Sequence, residues 1–405
     1  MALYVQKFGG TSVANVEKIR HCATRAQSTA AAGNQVVVVV SAMGKTTDQL
    51  VELAKQLSPH PPRREMDMLL STGEQVTIAL MAIVLHNQGT KAISFTGGQC
   101  GLITDTSHGK ARIHSLETDR IHKQLQAGMI VIVAGFQGVT GDGQITTLGR
   151  GGSDTTAVAI AAGLRADVCE IYTDVAGVYT ADPRKVKNAR LIKEISYDEM
   201  LELASAGAGV LHSRAVEFGM NYNVPIHVRD SQRQEEGTMI VAANEAMERI
   251  VVSGAALKDD LAKVTLTHVP DHPGVAALIF ERLAQRNIVV DDIIQNVYET
   301  GKANLGFTID RDDLQLARQV CSELAAELTG MEVHFDQDIA KISVVGVGMK
   351  SHTGVASRMF ATLAENKVNI QNITTSEIKI TCIIDRGDGA RALRLVHDAF
   401  ELGKA

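Results

Sequence analysis

From Leu3 to about Arg229, short β-branched runs alternate with longer segments whose apolar positions recur at helical spacing. That alternation is the pattern of a sheet with crossover helices, so it predicts an α/β region. Strands are predicted at residues 3–7, 35–41, 91–95, 129–134, 168–173 and 225–228. Helices are predicted at 13–32, 46–57, 64–87, 113–127, 154–164 and 197–206. The most apolar run, residues 36–40, is far shorter than the roughly 18 residues a membrane helix needs. Its β-branched content reads instead as a buried strand of a mostly parallel sheet. Three prolines, Pro59, Pro61 and Pro62, mark residues 58–63 as a surface loop between two helices.

After Val228 the pattern changes: a polar stretch at 229–244 leads through 245–260 into an internal repeat. A shift of 80 residues superposes His272, Gly274, Val275 and Ala276 on His352, Gly354, Val355 and Ala356. The same shift brings Phe280, Leu283 and Ala284 onto Phe360, Leu363 and Ala364. Each copy reads as a strand (264–269; 342–347), a helix (274–286; 354–365), two strands and a second helix (312–328; 389–402). That is a βαββαβ unit repeated in tandem. Neither copy sets its scattered histidines and cysteines in a pattern that reads as a general base, a nucleophile or a metal-ligand cluster, which leaves ligand binding, or a structural and dimerising role.

Composition narrows the class. A chain of 405 residues with 45% hydrophobic and 21% charged residues can bury two or three cores. The net charge of −6 and the absence of any Lys/Arg-rich run give no reason to expect nucleic acid. Cys22, Cys100, Cys169, Cys321 and Cys382 form no CxxC pair, so neither a disulfide framework nor a zinc site is indicated, and a reducing cytoplasm fits. The first ten residues show no basic region followed by an apolar stretch, so no export signal and no membrane anchor is expected.

Two glycine motifs carry the candidate chemistry. Lys7-Phe8-Gly9-Gly10-Thr11-Ser12 closes the first strand and opens the first helix. Backbone amides there can approach an anion, and the lysine adds a point charge suited to phosphoryl oxygens. A tight turn is the plainer reading of the same residues. Arg150-Gly151-Gly152-Ser153-Asp154-Thr155-Thr156 opens another helix, with Ser153 or Asp154 placed to cap it. Capping does not require Arg150, whose planar fork suits a carboxylate. Gly141-Asp142-Gly143 reads as a hairpin turn.

These blocks, together with Ser41-Ala42-Met43-Gly44, Ser71-Thr72-Gly73-Glu74 and the run from Tyr172 to Arg184, occur in one order. In that order they resemble the aspartate kinases of the amino-acid kinase family, and the repeat resembles a pair of ACT domains. The resemblance covers nearly the whole chain. It implies an α/β fold: an αβα sandwich of amino-acid-kinase type over residues 1–245, then two ACT-like, ferredoxin-like βαββαβ domains at 263–337 and 341–405.

The activity it implies is transfer of the γ-phosphate of ATP, carried with Mg²⁺, to the side-chain carboxylate of L-aspartate. The product, 4-phospho-L-aspartate, opens lysine, threonine and methionine biosynthesis. Lys7, Asp154 and Ser41 would be catalytic. Thr47, Glu74, Arg150, Gly151, Gly152, Ser153 and Asp154 would bind aspartate, Glu74 taking its ammonium group and Arg150 its α-carboxylate. Lys7, Phe8, Gly9, Gly10, Thr173, Asp174, Tyr179, Asp182 and Arg184 would bind the nucleotide, with no metal held by protein ligands alone. His212 and Arg214 match a family pattern too, and read as structural. Lysine, threonine or both would inhibit through Asp271, Gly274, Ala276, Gln295, Asn369 and Ile370. A homodimer is implied, or an α2β2 assembly with a shorter subunit started near Met247. A kinase acting on glutamate, or a sensor that has lost catalysis, are the competing readings; intact Lys7, Glu74, Arg150 and Asp154 speak against the second.

Overall fold

A computed structural model describes residues 1–404, apart from the side chain of Glu248; Ala405, the last residue assigned to the second repeat, lies outside the described residues. The chain divides into two compact units. The first comprises Met1–Thr180 and Arg190–Ser253, the second Ala181–Ala189 and Gly254 onward.

The first unit opens with β1 (Leu3–Phe8), α1 (Val16–Ala31), β2 (Gln35–Val40) and α2 (Thr46–Leu57). Helices α3 (Arg63–Leu70) and α4 (Thr72–Asn87) lead into β3 (Ala92–Phe95). Next come β4 (Leu102–Thr104), β5 (Ile113–Leu116), α5 (Asp119–Gln126) and β6 (Ile130–Ala134). A hairpin of β7 (Gln137–Val139) and β8 (Ile145–Thr147) precedes α6 (Gly152–Leu164) and β9 (Val168–Thr173). The unit is completed by β10 (Glu194–Ser196), α7 (Tyr197–Ser205), α8 (Ser213–Tyr222), β11 (Ile226–Asp230) and β12 (Thr238–Val241).

The main sheet runs β10-β12-β11-β9-β1-β2-β6-β3, and its central strands from β11 to β3 are all parallel. Val36, Val38 and Val40 pack with Phe8, Ile19, Met81 and Ile132 on one side, and Val37 and Val39 are equally buried. Burial on both faces is why these strands read as unbroken apolar runs. Asn15 starts α1 by accepting a hydrogen bond from the Lys18 amide, and a Ser196–Glu199 capping box starts α7.

Several expectations need correction. Residues 113–116, expected in a helix, form β5, because Leu116 pairs with Leu102 in a second sheet of order β5-β4-β7-β8. Short half-buried strands of this kind owe their pairing to tertiary contacts rather than to a local period. The single helix expected at 64–87 is two helices meeting at Ser71, whose carbonyl accepts 2.8 Å from Gln137 Nε2 instead of serving only its own helix. The polar stretch 229–244, for which no element was expected, contains β12, antiparallel to β11. Neither Ser153 nor Asp154 caps α6; left-handed Gly151, with φ 71°, occupies that position.

The second unit holds two four-stranded sheets. The first repeat contributes β14 (Leu261–Pro270), β15 (Val290–Glu299), β16 (Lys302–Asp310) and β17 (Glu332–Asp336), in the order β15-β16-β14-β17. The helices Val275–Gln285 and Leu314–Glu327 pack on this sheet. The second repeat supplies only three strands, β18 (Ile339–Val345), β19 (Ile370–Thr375) and β20 (Lys379–Asp385), with helices Val355–Glu365 and Gly389–Ala399. Its fourth strand is β13 (Gly254–Lys258), antiparallel to β18 and drawn from ahead of the first repeat. The two copies are therefore not independent tandem domains: chain before 263 completes the copy that begins near 341. Residues 181–189, expected in the N-terminal domain, belong here as well, held by Lys185–Asp259 at 3.3 Å and Asn188–Asp398 at 3.1 Å.

If β13 is a structural strand, Leu257→Ala should destabilise the protein by about 2–4 kcal/mol, since the side chain is buried against Gly389. Chemical unfolding of the full chain reads this directly, and an unchanged midpoint would return residues 254–258 to the status of a linker.

Candidate active site

Strand order decides where chemistry can occur. The chain passes from β1 to β2 on one side of β1, and later crosses through α6 to β9 on the other. In an open parallel sheet, the crevice beyond the carboxyl ends of the strands at such a reversal is the natural binding place. Here it is a cleft of about 330 Å³ lined by Lys7, Ser41, Thr47, Glu74, Arg150, Asp154 and the intervening glycines.

Lys7 sits near the end of β1 and is only 8% exposed. A buried ammonium needs a counter-charge, and Asp154 Oδ1 lies 2.6 Å from its Nζ. Asp154 comes from the first turn of α6, where the helix dipole favours a carboxylate. Gly10 lines the cleft at the start of a short helical turn, and a Cβ there would sit 2.9 Å from the Ala42 carbonyl oxygen. Only glycine lets these two loops approach so closely.

Glu74, in the first turn of α4, is 3% exposed. Its Oε1 accepts from the Ala42 amide at 3.0 Å, whereas Oε2 has no hydrogen-bond partner. Burial outweighs the backbone bonds to the carboxylate and pushes its pKa up to about 7. A half-satisfied buried carboxylate on a cleft wall is suited to receiving a cationic group from a ligand. Arg150 lines the same cleft, and its exposed guanidinium makes no ion pair among the described residues. The site thus offers one buried carboxylate, one free guanidinium and one lysine already paired with an aspartate.

The residues expected to act together are brought together: Lys7, Gly10, Ser41, Thr47, Glu74, Arg150, Gly151, Gly152, Ser153 and Asp154 all line this cleft. Others lie apart from it. The Phe8 side chain, expected among the nucleotide contacts, is sealed in the core and stacked on Tyr172 at 4.8 Å. Its carbonyl is taken as well, by the Ser41 amide at 3.1 Å. Gly9 is tied to β9 through the Tyr172 carbonyl at 3.2 Å, so Thr173 and Asp174 follow directly at the same sheet edge, and Tyr179 bridges to Leu191. Asp182 and Arg184 fall in the second unit, where they form a two-pronged ion pair with both contacts at 3.0 Å.

His212 and Arg214 brace the glycine loop. A Cβ on Gly151 would come within 2.3 Å of the His212 ring, and Arg214 donates to the carbonyls of Leu148 at 2.6 Å and Ala111 at 3.0 Å. Burial, then the Arg214 guanidinium, holds the His212 imidazole below its usual pKa. Phe136, a cleft residue the sequence reading missed, follows β6 by two residues and adopts φ 68°, a left-handed conformation uncommon outside glycine.

In the second unit, Asp271 and Gly274 lie in the exposed loop between β14 and the helix Val275–Gln285, with Gly274 at φ 101°, and Ala276 follows in that helix's first turn. Gln295 is exposed on edge strand β15; Asn369 precedes β19 and Ile370 begins it.

Comparison with known proteins gives the site a context. The model of the amino acid kinase family matches residues 2–230, and an ACT domain model matches residues 342–400. The aspartokinase of Geobacillus stearothermophilus is 54% identical over 404 residues, covering 100% of this chain and 98% of that protein. Among solved structures, E. coli aspartokinase III in complex with aspartate and ADP (R-state) is similar with a TM-score of 0.83 at 26% identity, over 98% of this chain and 99% of the other. The same enzyme in complex with lysine and aspartate (T-state) gives a TM-score of 0.76 at 26% identity, over the same shares.

The raised pKa of Glu74 has a definite sign. The folded state keeps a proton that the unfolded chain gives up near pH 4.5, so this contribution to stability is fully present below about pH 4.5 and is lost as pH rises through about 7. Glu74→Gln should therefore gain stability relative to the parent as pH rises across that window, by at most about 3 kcal/mol. Urea midpoints of the two proteins at several pH values measure it; a difference independent of pH would mean that Glu74 titrates normally.

Proposed function

The chain belongs to the aspartokinases of the amino acid kinase family and phosphorylates the side-chain carboxylate of L-aspartate with ATP as donor; we propose that it does so in the cleft formed around Lys7, Glu74 and Arg150. The observation that carries this assignment is Glu74 Oε2, buried without a partner in the same cleft as an unpaired Arg150. A zwitterionic amino acid needs one anionic and one cationic partner, and this pair supplies both. Glu74 takes the α-ammonium group, Arg150 grips the α-carboxylate in a fork, and Thr47 with Gly151, Gly152 and Ser153 closes the pocket around them.

The attacking β-carboxylate is ionised at neutral pH, so no general base is required. The protein's work is positioning and charge stabilisation. Lys7 stabilises charge on the transferring oxygens, and Asp154 fixes the lysine's position at 2.6 Å. Gly9 and Gly10 let backbone approach the phosphates, Ser41 stands beside the point of transfer, and Thr173, Asp174 and Tyr179 form the nucleotide side. Mg²⁺ would be held chiefly by the nucleotide's own phosphates, where it would offset their charge. The cleft's donor set fits that arrangement, since Asp154 is already engaged by Lys7 and the Glu74 carboxylate is turned to the Ala42 amide.

We assign feedback control by lysine, threonine or both to the repeats. The lysine-bound T-state of E. coli aspartokinase III supports the first of these effectors. The helix starts after Gly274 and Gly354 repeat the same left-handed entry, at φ 101° and 94°, and present amides to an effector's carboxylate. Asp271 and Gln295 then take its ammonium or polar end, and Asn369 and Ile370 contribute from the second repeat. Pro273 and Asp271 become Thr353 and Ser351 in that copy, so the two sites are unequal. Exposed Ile293 and Val297 on edge strand β15 favour association between chains, as a homodimer or with a shorter subunit begun near Met247. The five unpaired, buried cysteines accord with the cytoplasm.

Arg150→Lys should raise the apparent aspartate KM by about tenfold or more while leaving the MgATP KM nearly unchanged, because an ammonium cannot reproduce a two-pronged grip. In the same assay Lys7→Ala should lower kcat by about 10²–10³-fold. Wild-type aspartate KM in the first variant, or wild-type turnover in the second, removes the residue from its role. Activity with L-aspartate and none with L-glutamate separates this reading from a glutamate kinase.

For regulation, lysine and threonine titrated singly and together should inhibit the intact enzyme and inhibit the double variant Asp271→Ala, Gln295→Ala far less. Linkage also requires that aspartate weaken effector binding in return. Identical inhibition curves for the two proteins would move the effector site elsewhere.

A further inference from the structure

One carboxylate outside the cleft ties the segment that presents Arg150 to two neighbouring elements. Asp67, in α3, is fully buried. His108 Nδ1 donates to its Oδ2 at 2.8 Å, the Gly109 amide donates to both oxygens at 3.1 Å, and the Thr147 hydroxyl donates to Oδ1. Three elements thus meet on one anion: α3, the loop after β4, and the last residue of β8. A carboxylate with no access to water persists in a core only when such donors satisfy it, and losing one costs more than the bond was worth.

From this hub the connection to Arg150 is short and stiff. The Thr147 carbonyl accepts from the Ala111 amide at 2.9 Å, and the Leu148 amide donates to the Phe136 carbonyl at 2.9 Å. Arg214 clamps the carbonyls of Leu148 and Ala111 together. Gly149, at φ 77°, passes so near the Gly109 carbonyl that a Cβ would lie 3.1 Å from it. Arg150 is the next residue, and among the described residues its side chain has no partner to fix its direction.

We propose that Asp67 is a positioning residue for substrate recognition: its carboxylate fixes the backbone at Thr147–Gly149 and thereby sets the direction from which the Arg150 guanidinium enters the cleft. The proposal rests on the reading of Arg150 as the α-carboxylate clamp. Asp67 touches neither substrate, so its removal acts through Arg150. A displacement of that guanidinium by about 1 Å is enough to lose tenfold or more in recognition.

The test is Asp67→Asn in the full enzyme, whose amide nitrogen turns a donor toward groups that need an acceptor. Aspartate KM should rise about tenfold, with kcat and the MgATP KM within about twofold of the parent. Amide exchange in a peptide covering residues 147–152 should quicken. Thr147→Val removes a single donor from a site otherwise intact and should show the same split in smaller measure, which guards against a variant that merely unfolds. Loss of kcat together with a rise in both KM values, or unchanged exchange at 147–152, overturns the proposal. Arg150→Lys measured in parallel separates the two readings: an unchanged aspartate KM there, with faster exchange still seen in Asp67→Asn, defeats the clamp and leaves the bracing of this segment supported.

Discussion

A lysine that is 8% exposed at the end of a central parallel strand cannot stay charged alone, and the rest of the catalytic half is arranged around meeting that demand. The partner, Asp154, is remote in sequence and reaches Lys7 only because the chain leaves β8, turns through Gly149–Gly152 and enters α6 across the edge of β1. Two further cleft residues are tied in by backbone bonds: the Ser41 amide donates to the Phe8 carbonyl at the end of β1, and Glu74 of α4 accepts from the Ala42 amide next to Ser41. Of the glycines only Gly9 answers to the ammonium itself, a Cβ there lying 3.3 Å from Lys7 Nζ; Gly10 and Gly151 are required by the Ala42 carbonyl and the His212 ring.

Charge is distributed within the cleft so that each group has one task. Lys7 is neutralised before any ligand enters, Glu74 is left half satisfied, and Arg150 is left free. A site that paired Glu74 with Arg150 would have spent both on itself. Their separation depends on anchors that never touch the cleft, namely Asp67 beneath the Arg150 loop and Arg214 across its carbonyls. Preorganisation of this sort suits phosphoryl transfer, where the protein contributes position and field rather than bond-making groups.

The regulatory half follows a different constraint. A sheet cannot leave its first strand at an unpaired edge without inviting other chains, and in the second repeat β13 covers that edge of β18. The two repeats are joined further by Lys341 of β18, only 4% exposed, which meets Asp291 at 2.6 Å and also contacts Asp292 of β15. Asp292 in turn accepts from Thr374 of β19 at 3.0 Å. Each copy therefore carries charge or chain that the other needs, which is the arrangement expected of repeats that respond as one body.

What the sequence determined by itself were the features with a local physical cause. Valine runs buried on both faces, a repeat at a fixed spacing and glycines before helix starts all declare themselves in the chain's own pattern, whereas the cap expected of Ser153 or Asp154 fell to Gly151. The order of five motif blocks was enough to bring Lys7, Glu74, Arg150 and Asp154 into one expected site, and the cleft contains all four. Tertiary structure decided what depended on distant chain. β5 is a strand because Leu102 is there to pair with Leu116, and the helix around Ser71 breaks because Gln137 claims its carbonyl. The second repeat is completed by β13, Gly254–Lys258, which lies far ahead of its first strand Ile339–Val345 and across the whole first repeat, so no reading of the repeat alone could reveal it. Asp67 carried no local signal at all: an aspartate in a helix is ordinarily a solvated face, and only the convergence of His108, Gly109 and Thr147 on its two oxygens makes it a buried anchor. Periodicity and caps are short-range physics, whereas the burial of a charge is settled by whichever segments the fold delivers to it.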